Sequence, residues 1–569
     1  MKNIEVAELL NKIADYLELQ EDTFRVRAYR KAALNIEGLS EDIEKVWKEN
    51  KLEDLPGIGK GISKKISDFL KNGKSFYLEE LKKKTPVNME ELSSIDGIGP
   101  KTILKLYKKL KIKNIKDLET AAREGKIKNV ERLGPAVEKN ILKSIEFSKT
   151  AHSRVPLGFA LNSAEEIISK LKALKDVKRI SAAGSVRRMK ETIGDIDILV
   201  TSSNPQKVMD FFTKMDFVAD IIAKGPTKLS VRLKEGIQAD LRVLDDKIYG
   251  AGLLYFTGCK EHNVVLRKIS IENGLKLSEY GLFEQKTNKL IAGKTEEEIY
   301  KKLGLDYIEP ELREDHGEIE AASKHKLPKI VSYDDIKGDL QMHTKWSDGS
   351  NTIEEMALDA KKLDYDYIAI TDHGGTLKVA NALDEKRIQE QFKEIDKVSK
   401  KINFTILRGT EVDILGDGKL ALKDNILKQF DVVVASIHSG FKNSREQITK
   451  RMSSAMENEN VDIIAHPTGR LIGRRNPYDI DLEKAFDKAK STGTIMEINS
   501  YPERIDLKDA HVRAAVKAGV KLVISTDSHN SDQLKFIRLG IATARRGWAE
   551  KKDIINTRSL KDMMSMLKN

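Results

Sequence analysis

From residue 1 to about residue 150, apolar positions recur every three to four residues, the spacing of helices with one buried face. Three stretches there resemble one another: LPGIGKGISKKI from residue 55, IDGIGPKTILKL from 95, and the poorer LGPAVEKNIL from 133. Each is a Gly-rich turn running into an apolar-periodic helix. After VPLGFA (155–160) the period shortens, and RISAAGSV, DIDILVTS, KLSVRLK and IQADLRVL read as strands with helices between and beside them. The signal is mixed from about 250 to 315, and 313–335 is polar, contains Pro328 and reads as a linker. Beyond it, seven short apolar runs alternate with helical patterns: DLQMHT, YDYIAITDH, FTILRGTEVDIL, DVVVASIHS, VDIIAHPT, TIMEINS and KLVISTDSH. That alternation predicts parallel strands. Each run ends in polar residues, at the strand ends where such folds build their sites.

Length and charge narrow the picture. A chain of 569 residues is too long for one core. Charged residues make up 33%, with a formal net charge of +11, which favours a polyanionic partner, nucleic acid first. The single cysteine, Cys259, excludes an internal disulfide and suggests a reducing, cytoplasmic setting. The N-terminal stretch lacks the apolar core of a signal peptide, and no run is long and apolar enough to span a bilayer.

In LPGIGKG the glycines permit a tight turn, and the next helix begins at once, so its free N–H groups and dipole can hold a phosphate. Gly57, Gly59, Lys60 and Lys65 in the first copy, with Gly97 and Gly99 in the second, thus resemble helix-hairpin-helix motifs, which read DNA backbone and not sequence.

"AAGSVRRMKETIGDIDILV" (182–200) carries more chemistry. Gly184 and Ser185 end a strand and can cradle phosphate oxygens; Arg187 and Arg188 follow. Asp195 and Asp197 are two apart in a strand, so both carboxylates leave one face. Side by side they repel unless a divalent cation neutralises them. Asp240, in IQADLRVL, can complete a triad that holds two Mg²⁺ ions for in-line phosphoryl transfer.

GSxRR, then GDIDILV, then ADLRV, then YFTG followed by HNVVLR resembles the family X DNA polymerases, over residues 1 to about 315. The resemblance implies Mg²⁺ (or Mn²⁺) on Asp195, Asp197 and Asp240, with dNTPs and gapped or primer–template DNA as substrates. It places Arg154, Ser185, Arg188 and Gly194 at triphosphate-contacting positions. It puts Tyr255, Phe256 and Gly258 against the deoxyribose, and Asn263 and Arg267 at the minor groove. Lys65 aligns with the lysine that forms a Schiff base with an abasic sugar in beta-type members. A DNA-facing phosphate contact explains the same lysine.

In the last segment His343, Asp348, His373, Glu411, His438, His466, Asp527 and His529 all follow or end strand-like runs. So many donors at equivalent ends, in a chain with ten histidines, point to a metal cluster of Mn²⁺ and/or Zn²⁺ acting on a phosphodiester. The set resembles the PHP (polymerase and histidinol phosphatase) domain, over about 336–569. The usual opening His-x-His is here Gln341-Met342-His343, which substitutes one ligand. The resemblance groups His343, Glu411 and Asp527 in a first site, Glu411, His438 and His466 in a second, and Asp348, His373 and His529 in a third, with Asn499 toward substrate.

The expected fold is multidomain. A small helical 5′-phosphate or lyase-like domain (1–85) precedes a helical fingers-like domain (86–150). An α+β nucleotidyltransferase palm (151–250) and thumb (251–315) follow, then a linker (316–335) and an α/β distorted (β/α)7 barrel (336–569). The expected activity is short-gap filling in DNA repair, with a 3′→5′ exonuclease, and abasic-site endonuclease activity as an addition, in the barrel. A monomer without membrane attachment is expected. Left open are a polymerase with an inert barrel, a barrel acting on small phosphoesters, and a DNA-end binding scaffold.

Overall fold

The computed structural model describes the chain except for residues 1, 21, 38–42, 56, 86, 94, 96–97, 132, 136, 139–140, 143–144, 146–153 and 569. It divides into two compact units, one built on residues 1–152, the other on 153–376 and 382–569.

The first unit is helical. Val6, Leu10, Ile13 and Leu17 form one buried stripe on the helix Lys2–Leu19, which packs on Thr23–Glu37. Ser75 and Asn114 cap the helices Phe76–Lys84 and Ile115–Arg123 by accepting from Leu78 N and Asp117 N. Gly97 and parts of the third repeat lie outside the described residues.

The second unit holds palm, thumb and barrel. The palm strands are β1 (Val177–Ala182), β2 (Asp195–Ser202), β3 (Val218–Lys224), β4 (Lys228–Leu233) and β5 (Gln238–Leu244), in spatial order β1-β2-β5-β4-β3. Only the β2–β5 pair is parallel. Two local differences from the sequence reading stand out. The strand read through Val186 ends at Ala182, and Gly184–Arg187 is a helical turn. The edge strand β3 was not expected, because Ile221 and Ile222 face solvent and its burial does not alternate.

Three short antiparallel strands, Leu275–Ser278, Gly281–Glu284 and Leu290–Ala292, and the helices Tyr249–Thr257 and Lys260–Glu272 form the thumb. The stretch read as a linker is anchored at several points, though residues such as Lys324, His325 and Lys326 are exposed. Its helix Glu318–Ser323 sends Ile319 and Ala322 into the thumb core. Ile330 then bridges to Glu550, and Val331 N donates to Ala549 O at 2.9 Å.

The last segment has seven parallel strands, β6 (Gly338–Asp339), β7 (Tyr367–Ile370), β8 (Thr405–Asp413), β9 (Val432–Ser436), β10 (Ile463–Ile464), β11 (Ile495–Asn499) and β12 (Leu522–Ser525); six lie inside the expected runs, while β6 meets the run DLQMHT only at Asp339. They follow one another around a nearly closed barrel. The seam is drawn together just past β6 and β12, where Met342 bridges to Ser528, His343 N donates to Ser528 O at 2.7 Å and Asp527 N to Gln341 O at 3.0 Å.

The helix Ile537–Arg546 belongs to two cores. Ile541 and Ala544 lie in the barrel core, while Leu539 and Ala542 lie in the palm core with Leu157, Ile193 and Ile505. Replacing Leu539 by Ala is expected to cost about 2–5 kcal/mol, the cost of deleting a buried leucine side chain. Denaturant unfolding followed by a probe in each domain should shift both transitions together. A shift in only one of them would assign the helix to a single core.

Candidate active sites

In the palm the parallel register sets Asp197 opposite Asp240 and Asp195 opposite Gln238. Residues two apart share a face, so the three carboxylates stand together. The Gly184–Arg187 turn lies over them. Gly184 has φ +58°, and a Cβ there would sit 2.3 Å from Asp197 Oδ2, so only glycine allows this approach. Burial pushes Asp197 up to about 7, and the Asp195 and Asp240 charges add to the rise. Asp240 moves the other way: burial opposes its charge, but Lys228 at 2.9 Å, Gln238 at 2.8 Å and Ser230 hold it ionised. A buried carboxylate driven toward neutrality by two like charges is a donor set that a divalent cation relieves.

Lys228 and Arg242 were not singled out from the sequence. They are register partners on β4 and β5, and Arg242 covers the Phe256 ring at 4.3 Å. The alternation in KLSVRLK was visible; its register against β5 was not.

The expected nucleotide-contacting residues fall in small linked groups along the Gly184–Arg187 turn and the thumb helices. Arg154 Nε donates to Thr192 Oγ1 at 3.0 Å, and a Cβ on Gly194 would lie 3.2 Å from Arg154 Nη1. Ser185 is in the Gly184–Arg187 turn. Arg188 pairs with Glu314 at 2.8 Å and donates to Thr257 O, next to Gly258 with its φ of +72°. Tyr255 and Phe256 meet edge to face at 5.1 Å. Asn263 Nδ2 donates to Tyr255 O at 2.7 Å, and Arg267 Nε to Asn263 O at 3.3 Å.

In the barrel Glu411 is the hub. His343 Nε2 lies 3.2 Å from it, His466 Nε2 3.1 Å, His438 Nε2 3.4 Å and His373 Nδ1 3.7 Å. His343 Nε2 is also 3.2 Å from Asp527 Oδ1, while Asp348 lies 3.6 Å from His373 and 3.5 Å from His529. Three sets of donor atoms fall within 4.8 Å of one another: His343, Glu411 and Asp527; His373, Glu411 and His438; and His343, Asp348, His373 and His529. Relative to the expected grouping, His373 joins the second set and His343 the third, while His466, though 3.1 Å from Glu411, falls in none of the three.

Buried atoms in this cluster lack partners. Among the described residues, both ring nitrogens of His343, His466 Nδ1 and Gln341 Oε1 make no hydrogen bond of good geometry. Such a cost is sustained where ligands await an ion, so donor types and orphaned atoms both fit divalent metal. Gln341 is fully buried and donates from Nε2 to Glu411 Oε2 at 3.2 Å. It therefore supports the hub carboxylate from the place of a first ligand.

Asn499, expected toward substrate, is tied to two acids of the site. It is fully buried and donates to Asp527 Oδ2 at 3.1 Å and Glu497 Oε2 at 3.2 Å. Glu497, Asp413 and Arg504 were missed. Glu497 accepts from His466 N at 2.6 Å, and burial with the nearby Asp527 charge raises its carboxyl. Asp413 lies 3.6 Å from His438, and Arg504 3.5 Å from Asp527. Glu497 sits two before Asn499 in an apolar run, and that was the one available signal.

In the first unit Gly57 has φ +80°, with Asn35 3.2 Å from where a Cβ would be. Gly59 and Gly99 are the N-caps of Lys60–Asn72 and Pro100–Leu110, neither with a side-chain cap, and nothing lies within 4 Å of where a Cβ on either would sit. Lys60 opens the first of these helices. Lys65 Nζ lies over the Tyr77 ring at 4.3 Å and donates to Gly61 O at 3.1 Å. Partial burial, then Arg25, lowers its pKa.

Family models match in the same order as these parts. A helix-hairpin-helix domain covers residues 1–75 and a SAM-like helix-hairpin-helix tandem 89–146. The DNA polymerase beta palm covers 154–269, the DNA polymerase beta thumb 252–314, and the PHP domain 339–501. Over about a third of its length the chain is 33% identical to a probable phosphatase of Thermoanaerobacter sp. (strain X514) and 32% to one of Clostridium acetobutylicum, covering 74% and 79% of those proteins. Over the whole of both chains the protein is 40% identical to the DNA polymerase/3′-5′ exonuclease PolX of Bacillus subtilis (strain 168). With palm, thumb, helix-hairpin-helix and PHP matches in this order, the chain belongs to the PolX family, the family X DNA polymerases that carry a C-terminal PHP domain.

Proposed function

We propose that the protein is a DNA-directed DNA polymerase that fills short gaps, with a 3′→5′ exonuclease in its barrel. The observation that carries the first half is the Asp197–Asp240 register beneath Gly184. Mg²⁺ or Mn²⁺ held by Asp195, Asp197 and Asp240 would neutralise charge at the primer 3′-hydroxyl and the departing pyrophosphate. Arg154, Ser185, Arg188 and Gly194 orient the triphosphate. Tyr255, Phe256 and Gly258 lie along the sugar, with Asn263 and Arg267 on the minor groove. Lys228 keeps Asp240 ionised throughout.

In the barrel, Mn²⁺ and/or Zn²⁺ on the eight donors would activate water against a phosphodiester. Gln341 fixes Glu411, and Asn499 fixes Asp527. The open helix starts after Gly59 and Gly99 hold DNA backbone phosphates. Lys65 is assigned first to a phosphate contact; its lowered pKa also suits a Schiff base with an abasic sugar. No described helix is long and apolar enough to cross a membrane. We place the protein in the cytoplasm as a monomer acting on DNA and dNTPs.

The probable phosphatases similar to the barrel favour a second reading, action on small phosphoesters. Under the main reading, a simple phosphomonoester should not compete with DNA.

Asp197→Ala should lower dNTP incorporation on a gapped duplex at least about 10³-fold, or about 4 kcal/mol of transition-state stabilisation. Gly184→Ala should impair the same step, because its Cβ would strike Asp197 Oδ2. Both variants should still degrade 3′-labelled single-stranded DNA with Mn²⁺. Absence of incorporation by the wild-type protein would refute the polymerase reading.

For the barrel, His438→Ala should reduce that degradation by about a hundredfold or more and lower bound metal per chain, leaving gap filling unchanged. If wild type is inactive and Gln341→His gains activity, the substitution at 341 has disabled the first site.

A further inference from the structure

Glu314 sits where three domains meet. Its Oε1 accepts from Arg188 Nε at 2.8 Å and from Arg546 Nη1 at 3.2 Å, and its Oε2 takes Lys190 Nζ at 3.0 Å. Arg546 comes from the barrel and is 4% exposed. Its Nη1 also donates to the backbone carbonyl of Arg188 at 2.9 Å, and its far edge is held by Asp509 at 2.6 and 3.0 Å. Burial works against the Glu314 charge, yet Arg546, Arg188 and Lys190 hold its carboxyl down to about 2. It is therefore a firm anion standing on the guanidinium assigned to the triphosphate.

On the reading of Arg188 as a triphosphate contact, an incoming triphosphate competes with Glu314 for its guanidinium. Stripping a buried carboxylate of its partners is strongly unfavourable. Here the release leaves Glu314 paired with Arg546 and Lys190, so no charge is orphaned. The cation that makes the exchange cheap belongs to the PHP domain.

We propose that Arg546 is a positioning residue of the polymerase nucleotide pocket: it retains Glu314 and braces the Arg188 backbone, so that Arg188 can exchange Glu314 for a triphosphate. This rests on the reading of Arg188 as a triphosphate contact.

The test is steady-state single-nucleotide gap filling by the full chain, comparing wild type with Arg546→Gln, Arg546→Lys, Glu314→Gln, Arg188→Gln and the Arg546→Gln/Glu314→Gln double variant. Without Arg546, Glu314 competes harder for Arg188. Arg546→Gln should then raise the dNTP KM about tenfold with kcat within about twofold. Degradation of single-stranded DNA by the barrel should not change, which shows that the domain is folded. Arg546→Lys should recover most of the loss. In the Glu314→Gln background the Arg546 change should have a much smaller effect, since the competing anion is gone and only the brace on the Arg188 carbonyl is lost. An equal rise in KM with and without Glu314 would reduce Arg546 to a general structural prop and overturn the proposal. So would an unchanged KM in Arg546→Gln alongside a raised one in Arg188→Gln. An unchanged KM in Arg188→Gln would instead remove the reading of Arg188, and the proposal with it.

Discussion

A ten-residue helix, Ile537–Arg546, carries much of the second unit. A helix on the outside of a barrel normally buries one stripe and wets the other. This one buries eight of its ten residues. One side fills the barrel core and another the palm core, and Arg545 and Arg546 at its end clasp Glu311 and Glu314 at the end of the thumb. Cations at a helix C-terminus also complement its dipole. Gly540 lets the helix approach so closely that a Cβ would meet Ser500 Oγ at 2.1 Å, just past β11.

Palm and barrel meet the same electrostatic difficulty in different ways. In both, the backbone brings carboxylates together, most of them buried. The palm offsets part of the charge with Lys228 and leaves Asp197 to bear the repulsion. The barrel surrounds Glu411 with imidazoles, and neutral amides brace two of its acids, Gln341 on Glu411 and Asn499 on Asp527. The amides donate hydrogen bonds without adding charge, so each carboxylate keeps its attraction for a cation while losing freedom to turn away.

What could be read from the chain was the local part. Alternation in DIDILV and ADLRV marked the strands and the faces of their acids, and the barrel donors announced themselves by their place after apolar runs. What escaped was set by tertiary contact. Strand β3 shows no alternation, because solvent lies along it. The stretch 316–335 is polar in sequence yet packed, because its few apolar residues, Ile319, Ala322 and Val331, are the ones the thumb and barrel bury. Asn499 looked like a substrate contact from its position, but its amide is spent on Asp527. Nothing near Arg546 in the sequence marks it as a neighbour of Arg188, which lies 358 positions earlier.

The shared helix also ties the thermodynamics of the two centres together. An ion that binds the folded barrel and not the unfolded chain stabilises whatever unfolds with it, by an amount that grows with the logarithm of its concentration. Because Leu539 and Ala542 are palm core as much as barrel surface, the palm is included in that set. Divalent metal in the nuclease half thereby becomes a stabilising ligand for the polymerase half, and scarcity of the ion would weaken both together.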